Sequence, residues 1–386
     1  MNSYYFDHAA TTPMHPEVME RMLELMKGPG GNASSIHAYG RAARSRLTRA
    51  RDLVSSSVGC RPPELLFTSG GTESDNAALI GAARAQKRLG RNHIITSAVE
   101  HHAVLHTCEW LHREEGFTLT VVPVDGTGLI DPQHVKDAMT PETALVSVMH
   151  GNNEVGTLQP IEAIGDIAHA GGALFHVDAV QSLGWMQYRL QELPVDFMSF
   201  SAHKINGPQG VGALYVRTGV PFEALQHGGS QERKRRAGTE NVVGIAGFAA
   251  ALDICVNERP SKQLFTEKLR KRWIELLKEE LHHDVEVVVN GHATRRLPHI
   301  ANLSFIGVDT ESMLMNLDMS GIAASSGSAC TSGSLERSHV LEAMKLPPER
   351  LQSAVRFSFG LGNTMEEIQN AAPLVARIAS RIRTSK

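Results

Sequence analysis

The chain has 386 residues, 42% of them hydrophobic and 20% charged, with a formal net charge of −3 at pH 7. That length allows two or three domains and a large buried core, and the composition excludes a disordered or membrane protein. The slight negative charge excludes a general attraction to nucleic acid or anionic lipid.

The opening "MNSYYFDHAATTPMHP" has no basic start followed by an apolar run, so no signal peptide is expected. No stretch approaches the length of a membrane span. Cys60, Cys108, Cys255 and Cys330 lie far apart without a CxxC pair. Such spacing suits a reducing cytosol and argues against a disulfide framework or a zinc ribbon. A cytoplasmic protein is expected.

The first periodic segment puts Val18, Met22, Leu25 and Met26 on one helix face, as expected for core packing. Strands are then expected at 65–68, 93–97, 119–124, 144–149, 174–178, 197–201 and 212–216. Amphipathic helices alternate with them, at 72–88, 101–114 and 161–169. This rhythm predicts an α/β fold with a mostly parallel central sheet, covered on both faces and binding ligands beyond the carboxyl ends of its strands. After "ERPSKQ" (258–263) the character changes. A long charged helix at 264–281 leads to strands at 285–289 and 301–305, another helix and strand, and a last helix opened by the capping pattern Thr364-Met-Glu-Glu367. A large domain over 15–260 is expected beside a smaller α+β domain made of 1–14 and 261–386. The uncharged "AASSGSACTSGS", 323–334, reads as a mobile loop carrying Cys330.

Five stretches carry candidate chemistry. In "DFMSFSAHKINGPQGVGALYVR" (196–217), Lys204 follows a strand-like run and precedes Gly207, Pro208, Gly210 and Gly212. Either this lysine snorkels to solvent, or a rigid support holds its amine for Schiff-base chemistry, with Ser201 and His203 as short donors to an anion. In "FHVDAVQSLG", Asp178 ends a strand and faces the ligand crevice, unless it merely caps the next helix. Were the ligand a pyridine, Asp178 would keep the ring nitrogen protonated and Gln181 would donate to a phenolic oxygen. In "LLFTSGGTESDNAAL" the turn Ser69-Gly70-Gly71-Thr72 between strand and helix is a phosphate cradle. It lacks the ending of a P-loop and the GxGxxG of a dinucleotide site, so a mononucleotide-sized phosphate ligand fits better than ATP or NAD. In "VEHHAVLH", His102 and His106 are four apart without a third ligand nearby, so no metal is expected. His101, directly after a strand, is placed to stack on a ligand ring or move protons. Cys330 is either a nucleophile on a mobile arm or a chance cysteine in a linker. Cys60, Cys108 and Cys255 sit in helical or helix-end patterns and are expected to be inert.

Lysine, strand-end aspartate, glycine-rich turn and histidine together describe a pyridoxal phosphate site. The chain resembles the cysteine desulfurases of the NifS/IscS type, which are class V aminotransferase-like, fold-type I pyridoxal phosphate enzymes. The resemblance runs nearly end to end, through "YFDHAATTP", "GNASSIHAYGRAAR", "EHHAV", "NNEVGTLQPI", "SAHKINGPQGVG", "RAGTENV", "LPHIANLSF" and "SSGSACTSGSLERSHVL". It implies that Lys204 carries pyridoxal 5'-phosphate as a Schiff base, with Asp178 on the ring nitrogen, Gln181 on the phenolic oxygen and His101 over the ring. Gly71, Thr72, Ser201 and His203 would hold the phosphate, with Thr239 reaching in from the partner subunit of a homodimer. Asn153 and Arg356 would bind the carboxylate of L-cysteine. Cys330 would take the substrate sulfur as a persulfide, leave L-alanine, and pass the sulfur to an acceptor protein, either an iron–sulfur scaffold or a tRNA-thiolating enzyme. Selenocysteine lysis or another class V reaction is the alternative, for which Cys330 is dispensable. The basic run "RKRR" (233–236) is expected at the dimer and active-site edge, with no direct role in nucleic-acid binding.

Overall fold

The computed structural model describes residues 3–327 and 337–383. Of the loop expected at 323–334, residues 328–334, Cys330 among them, fall outside the described residues, as do 335 and 336; its start is instead ordered, with Ala323 in a strand and Ser325 and Ser326 buried.

A two-residue strand, β1 (Tyr4–Tyr5), precedes the helices α1 (Pro16–Lys27) and α2 (Ala38–Val58). Seven strands follow: β2 (Leu65–Thr68), β3 (His93–Ser97), β4 (Thr118–Val122), β5 (Thr143–Met149), β6 (Leu174–Asp178), β7 (Phe197–Ser201) and β8 (Gly212–Val216). Among the described residues they form one sheet in the order β2-β8-β7-β6-β5-β3-β4, and only β8 runs against its neighbours. The strand at 119–124 begins and ends slightly earlier than expected and the other six of this sheet match to within a residue, whereas the strand expected at 285–289 starts two residues later, at Val287. Central β5, "TALVSVM", is buried along its whole length, because helices cover both faces of the sheet. Edge strand β4 buries only its last residue.

Between these strands lie α3 (Gly71–Lys87) and α4 (His102–Glu115), each starting at the carboxyl end of a strand. β9 (Val287–Asn290), β10 (Ile300–Phe305) and β12 (Ala354–Ser358) make a separate antiparallel sheet, while β11 (Ile322–Ala323) pairs with β1. This second sheet has its own core. Trp273 is buried at its centre, with ring centroids 5.2 Å from Phe6, 5.0 Å from Phe357 and 6.0 Å from Phe359. The last helix, Met365–Ile382, opens with the expected capping box between Thr364 and Glu367.

Two expectations are corrected. The charged helix at 264–281 is the second half of one continuous helix, Val242–Leu281, with Pro260 inside it. Its first half packs into the core of the large sheet and its second half into the core around Trp273. Burial at both ends outweighs the hydrogen bond lost at the proline. On α1 only Val18 is buried; Met22 and Leu25 are half-buried and Met26 is 66% exposed. That helix rests on a narrow stripe and leaves the rest of its apolar face outward.

Candidate active site

The carboxyl ends of β5, β6 and β7 and the start of α3 enclose a cavity of about 430 Å³. Lys204 reaches it from a single 3₁₀ turn, Ala202–Lys204, that continues β7. Its Nζ donates to the carbonyls of Ala9 at 2.5 Å and Ala10 at 2.7 Å. The glycines after it have a steric cause. A Cβ on Gly212 would lie 2.5 Å from the Phe200 carbonyl oxygen and 2.7 Å from Gly70 Cα. Asn206, in the left-handed region at φ 63°, is held by Thr12 Oγ1 on its N–H and by the Pro13 carbonyl on its amide. The amine is thus fixed from both sides of the turn.

Asp178 ends β6 and is buried in the cavity wall, where its Oδ1 accepts from the Val180 amide at 2.9 Å. Burial pushes its carboxyl up, against the Val180 bond and the Lys204 charge, which pull it down. Gln181 donates one amide hydrogen to the Ala9 carbonyl at 2.6 Å. His101 caps α4: its Nδ1 accepts from the Ala103 amide at 3.1 Å, which leaves the proton of a neutral ring on Nε2. Burial first, then the Lys204 charge, pushes this imidazole down to about 4, so it is neutral near pH 7.

At the opposite end, the first amides of α3 have no partner within the helix and point with its dipole into the cavity. Gly71 lets the chain pass close to Val180, since a Cβ there would meet Val180 Cγ2 at 2.6 Å and push that methyl aside. Thr72, Ser201 and His203 line the same end. His203, whose Nδ1 lies 3.1 Å from Thr11 Oγ1, is also pushed down to about 4 by burial and by Lys204. The basic run stands just outside: Arg236 Nε pairs with Glu73 at 2.8 Å, and Glu73 accepts from the Ser69 amide at 2.7 Å.

Arg356 enters from β12. It pairs with Asp7 at 2.8 Å and donates to the Asn153 carbonyl at 2.9 Å, while its buried Nε has no hydrogen-bond partner. The two asparagines of "NNEVG" divide the work. Asn152 is buried and bonds the Val99 carbonyl and the Glu154 and Val155 amides; Asn153 lines the cavity. Both flanks of the segment bearing Cys330 also come here. Ser325 exchanges backbone hydrogen bonds with Arg356, and the Ser338 hydroxyl donates to buried Glu154.

The cavity therefore brings together Lys204, His101, Gly71, Thr72, Asp178, Gln181, Ser201, His203, Asn153 and Arg356. Thr239 is exposed on a separate surface depression with Gly228 and Gly238, outside this chain's own cavity. Cys108 and Cys255 are buried, and burial pushes the half-buried Cys60 thiol up to about 12. Reading the sequence missed Asp7, the Ala9 and Ala10 carbonyls, and the buried carboxyls Asp75, Glu100 and Glu154. A signal for Asp75 exists: it follows Thr72 by three residues, one helical turn below the anion end.

The profile of the Aminotransferase class-V family matches residues 4–371. The chain is 45% identical to a cysteine desulfurase IscS of Methanosarcina thermophila, over 98% of this chain and 92% of that one. It is 44% identical to the cysteine desulfurase IscS of Dictyoglomus turgidum, over 98% and 95%. A solved NifS-like protein superposes with a TM-score of 0.92 at 36% identity, over 98% of this chain and all of that one. The chain belongs to the class V aminotransferase family, among its cysteine desulfurases of the NifS/IscS type.

Proposed function

We propose that the protein is a pyridoxal 5'-phosphate-dependent cysteine desulfurase, which converts L-cysteine to L-alanine and takes the sulfur onto Cys330. The observation that carries this reading is the meeting of a lysine amine, a buried carboxyl and a helix N-terminus in one cavity of about 430 Å³. The donor set fits the cofactor. Free amides beside a glycine packed closely against Val180 suit its phosphate, and a buried carboxyl in the same cavity suits its ring nitrogen.

The cofactor, when bound, supplies an electron sink that lets bonds beside the substrate nitrogen break. Lys204 would hold it covalently through Nζ and then move protons at the substrate α-carbon. Asp178 would keep the ring nitrogen protonated, and the second amide hydrogen of Gln181 would serve the phenolic oxygen. Neutral His101 would lie over the ring as an Nε2–H donor. Arg356 would bind the substrate carboxylate through guanidinium hydrogens that Asp7 and the Asn153 carbonyl leave unused, while those two partners fix the plane of its fork. The Asn153 amide would complete that contact.

Cys330 supplies the acceptor atom. As a thiolate it attacks the substrate sulfur: an S–S bond forms as the Cβ–S bond breaks, the electron pair stays with carbon, and that carbon takes a proton to give alanine. An ordinary thiol has a pKa of about 8.5, so a base must remove its proton. With the His101 ring pushed down to about 4, the substrate amine is the better base. The persulfide then passes to an acceptor protein, an iron–sulfur scaffold or a tRNA-thiolating enzyme, from a cytoplasmic homodimer in which Thr239 of the partner subunit completes the phosphate end.

The test is direct. Wild type exposed briefly to cysteine should release alanine and carry one extra sulfur on the peptide containing Cys330. Cys330→Ser should bind cofactor and cysteine yet release almost no alanine, because a hydroxyl is a poor nucleophile toward sulfur. The extra sulfur on Cys60, Cys108 or Cys255, or a fully active serine variant, would overturn the reading.

A further inference from the structure

The cavity that holds Asp178 holds a second carboxyl that the reaction above leaves unused. Asp75 follows Gly71 by four residues on α3, so one helix face carries the amides of the anion end and Asp75 one turn deeper. It is 1% exposed and lines the same cavity as Asp178. An ionised carboxylate wants several donors, yet Asp75 Oδ1 has no hydrogen-bond partner. The nitrogen beside it, His176 Nε2, is 3.5 Å away and already 2.9 Å from the Ser199 hydroxyl, while His176 Nδ1 lies 2.8 Å from Ser147 Oγ. Burial also keeps that imidazole neutral, pushed down to about 3.

Burial pushes the Asp75 carboxyl upward, and the neighbouring carboxyls Asp178 and Glu100 add to that push wherever they are ionised, against a single hydrogen bond from Ser199. Glu100 is itself buried with Oε2 unpartnered. Around the cavity the other titratable groups are His101 and His203, both neutral, Arg356 from β12, and Lys204, whose charge acts on Asp178. Carboxylates crowded together away from water cannot all ionise. Asp178 has the stronger claim on the charge, because it accepts the Val180 amide and feels the Lys204 ammonium.

We propose that Asp75 is a positioning residue of this site, a proton-bearing acid that leaves Asp178 as the charged carboxyl under the ring. The ring itself rests on the cofactor reading above. With Asp75 neutral, the ring proton faces one adjacent negative charge. Ionising Asp75 would add a second, and would tighten the hold on that proton through a change two groups away. The sign for stability follows from the raised proton affinity. Asp75 binds its proton more tightly folded than unfolded, so its contribution is full at acid pH and is lost as pH rises toward its folded value. Asp75→Asn, a neutral isostere, lacks that loss.

Full-length wild type and Asp75→Asn, each loaded with cofactor, are compared between about pH 5.5 and 9 by thermal unfolding at one scan rate. Infrared difference spectra in D₂O and the visible absorption band are recorded on the same samples. The variant is expected to gain on wild type as pH rises, and the difference spectrum at neutral pH should hold a protonated-carboxyl C=O band. A variant that falls further behind with rising pH, or a difference spectrum with carboxylate bands only, overturns the proposal. Should the variant not fold, wild type with ¹³C-labelled aspartate carboxyls answers the same question, and no protonated aspartate band at neutral pH sinks the idea. The visible band separates the two readings: its absence in wild type removes the cofactor, whatever the infrared spectrum says about Asp75.

Discussion

The large sheet supplies the cavity with Asp178, Ser201 and Lys204 from its strand ends and turns, and with Gly71 and Thr72 from the helix after β2. The three-stranded sheet supplies Arg356, on β12, over a core centred on Trp273. The groups on the large sheet are tied to one hydrogen-bonded ladder, β5-β6-β7-β8, so their mutual spacing cannot change without breaking it. Arg356 reaches the same cavity through side-chain bonds to Asp7 and Asn153. On the proposed reading the cofactor is held mainly from the large sheet, and the substrate carboxylate by Arg356 of the other core together with Asn153. Damage to the core around Trp273 should weaken the carboxylate contact more than the cofactor site.

The sharpest way to break that division lies on the large sheet. Lys204→Ala should abolish the visible absorption band of the bound cofactor and lower turnover by more than about 10⁴-fold, beyond the range of proton transfer alone, because the anchor goes with the base. Full activity in that variant would falsify the assignment of Lys204. The second strongest change lies in the other core. Trp273 is buried against three phenylalanine rings, so Trp273→Ala should cost about 3–5 kcal/mol by denaturant unfolding. Below its midpoint the variant should keep the visible band but bind cysteine more weakly, since Phe357 neighbours Arg356 on β12. Loss of the band in step with loss of the Trp273 core would show that the two cores act as one.

The same division explains what could be read in the sequence. On the large sheet each chemical group sits at a strand end marked by local punctuation: Asp178 closes an apolar run, Gly70-Gly71 breaks strand from helix, and Lys204 is hemmed by glycines. Local pattern suffices there, because strand periodicity and turn residues are short-range effects. Asp7 lies 349 residues from Arg356, and the carbonyls of Ala9 and Ala10 meet Lys204 across 195 and 194 residues. No spacing rule connects such partners. Asp75 and Glu100 are hidden for a different reason: an acidic residue near a helix start, inside it like Asp75 or just before it like Glu100, usually serves the N-terminus, and burial is invisible in a single sequence. The long helix looks short in the sequence because Pro260 ordinarily ends a helix, and packing at both ends keeps this one continuous.

The smallest predicted effect tests the substrate side without unfolding it. Arg356 gives one hydrogen to Asp7 and one to the Asn153 carbonyl, and its planar fork has further hydrogens for a carboxylate. Arg356→Lys retains the charge but offers a single ammonium, which cannot serve Asp7, the carbonyl and an incoming carboxylate in one plane. The expected loss is about 1.4 kcal/mol, a roughly tenfold rise in KM for cysteine, with kcat much less affected and the visible band in place. That pattern marks an interaction made equally with bound substrate and transition state. A fall in kcat at constant KM would instead mean that Arg356 acts on the reacting atoms. The three-stranded sheet would then take part in the chemistry itself, alongside the strand ends of the large sheet.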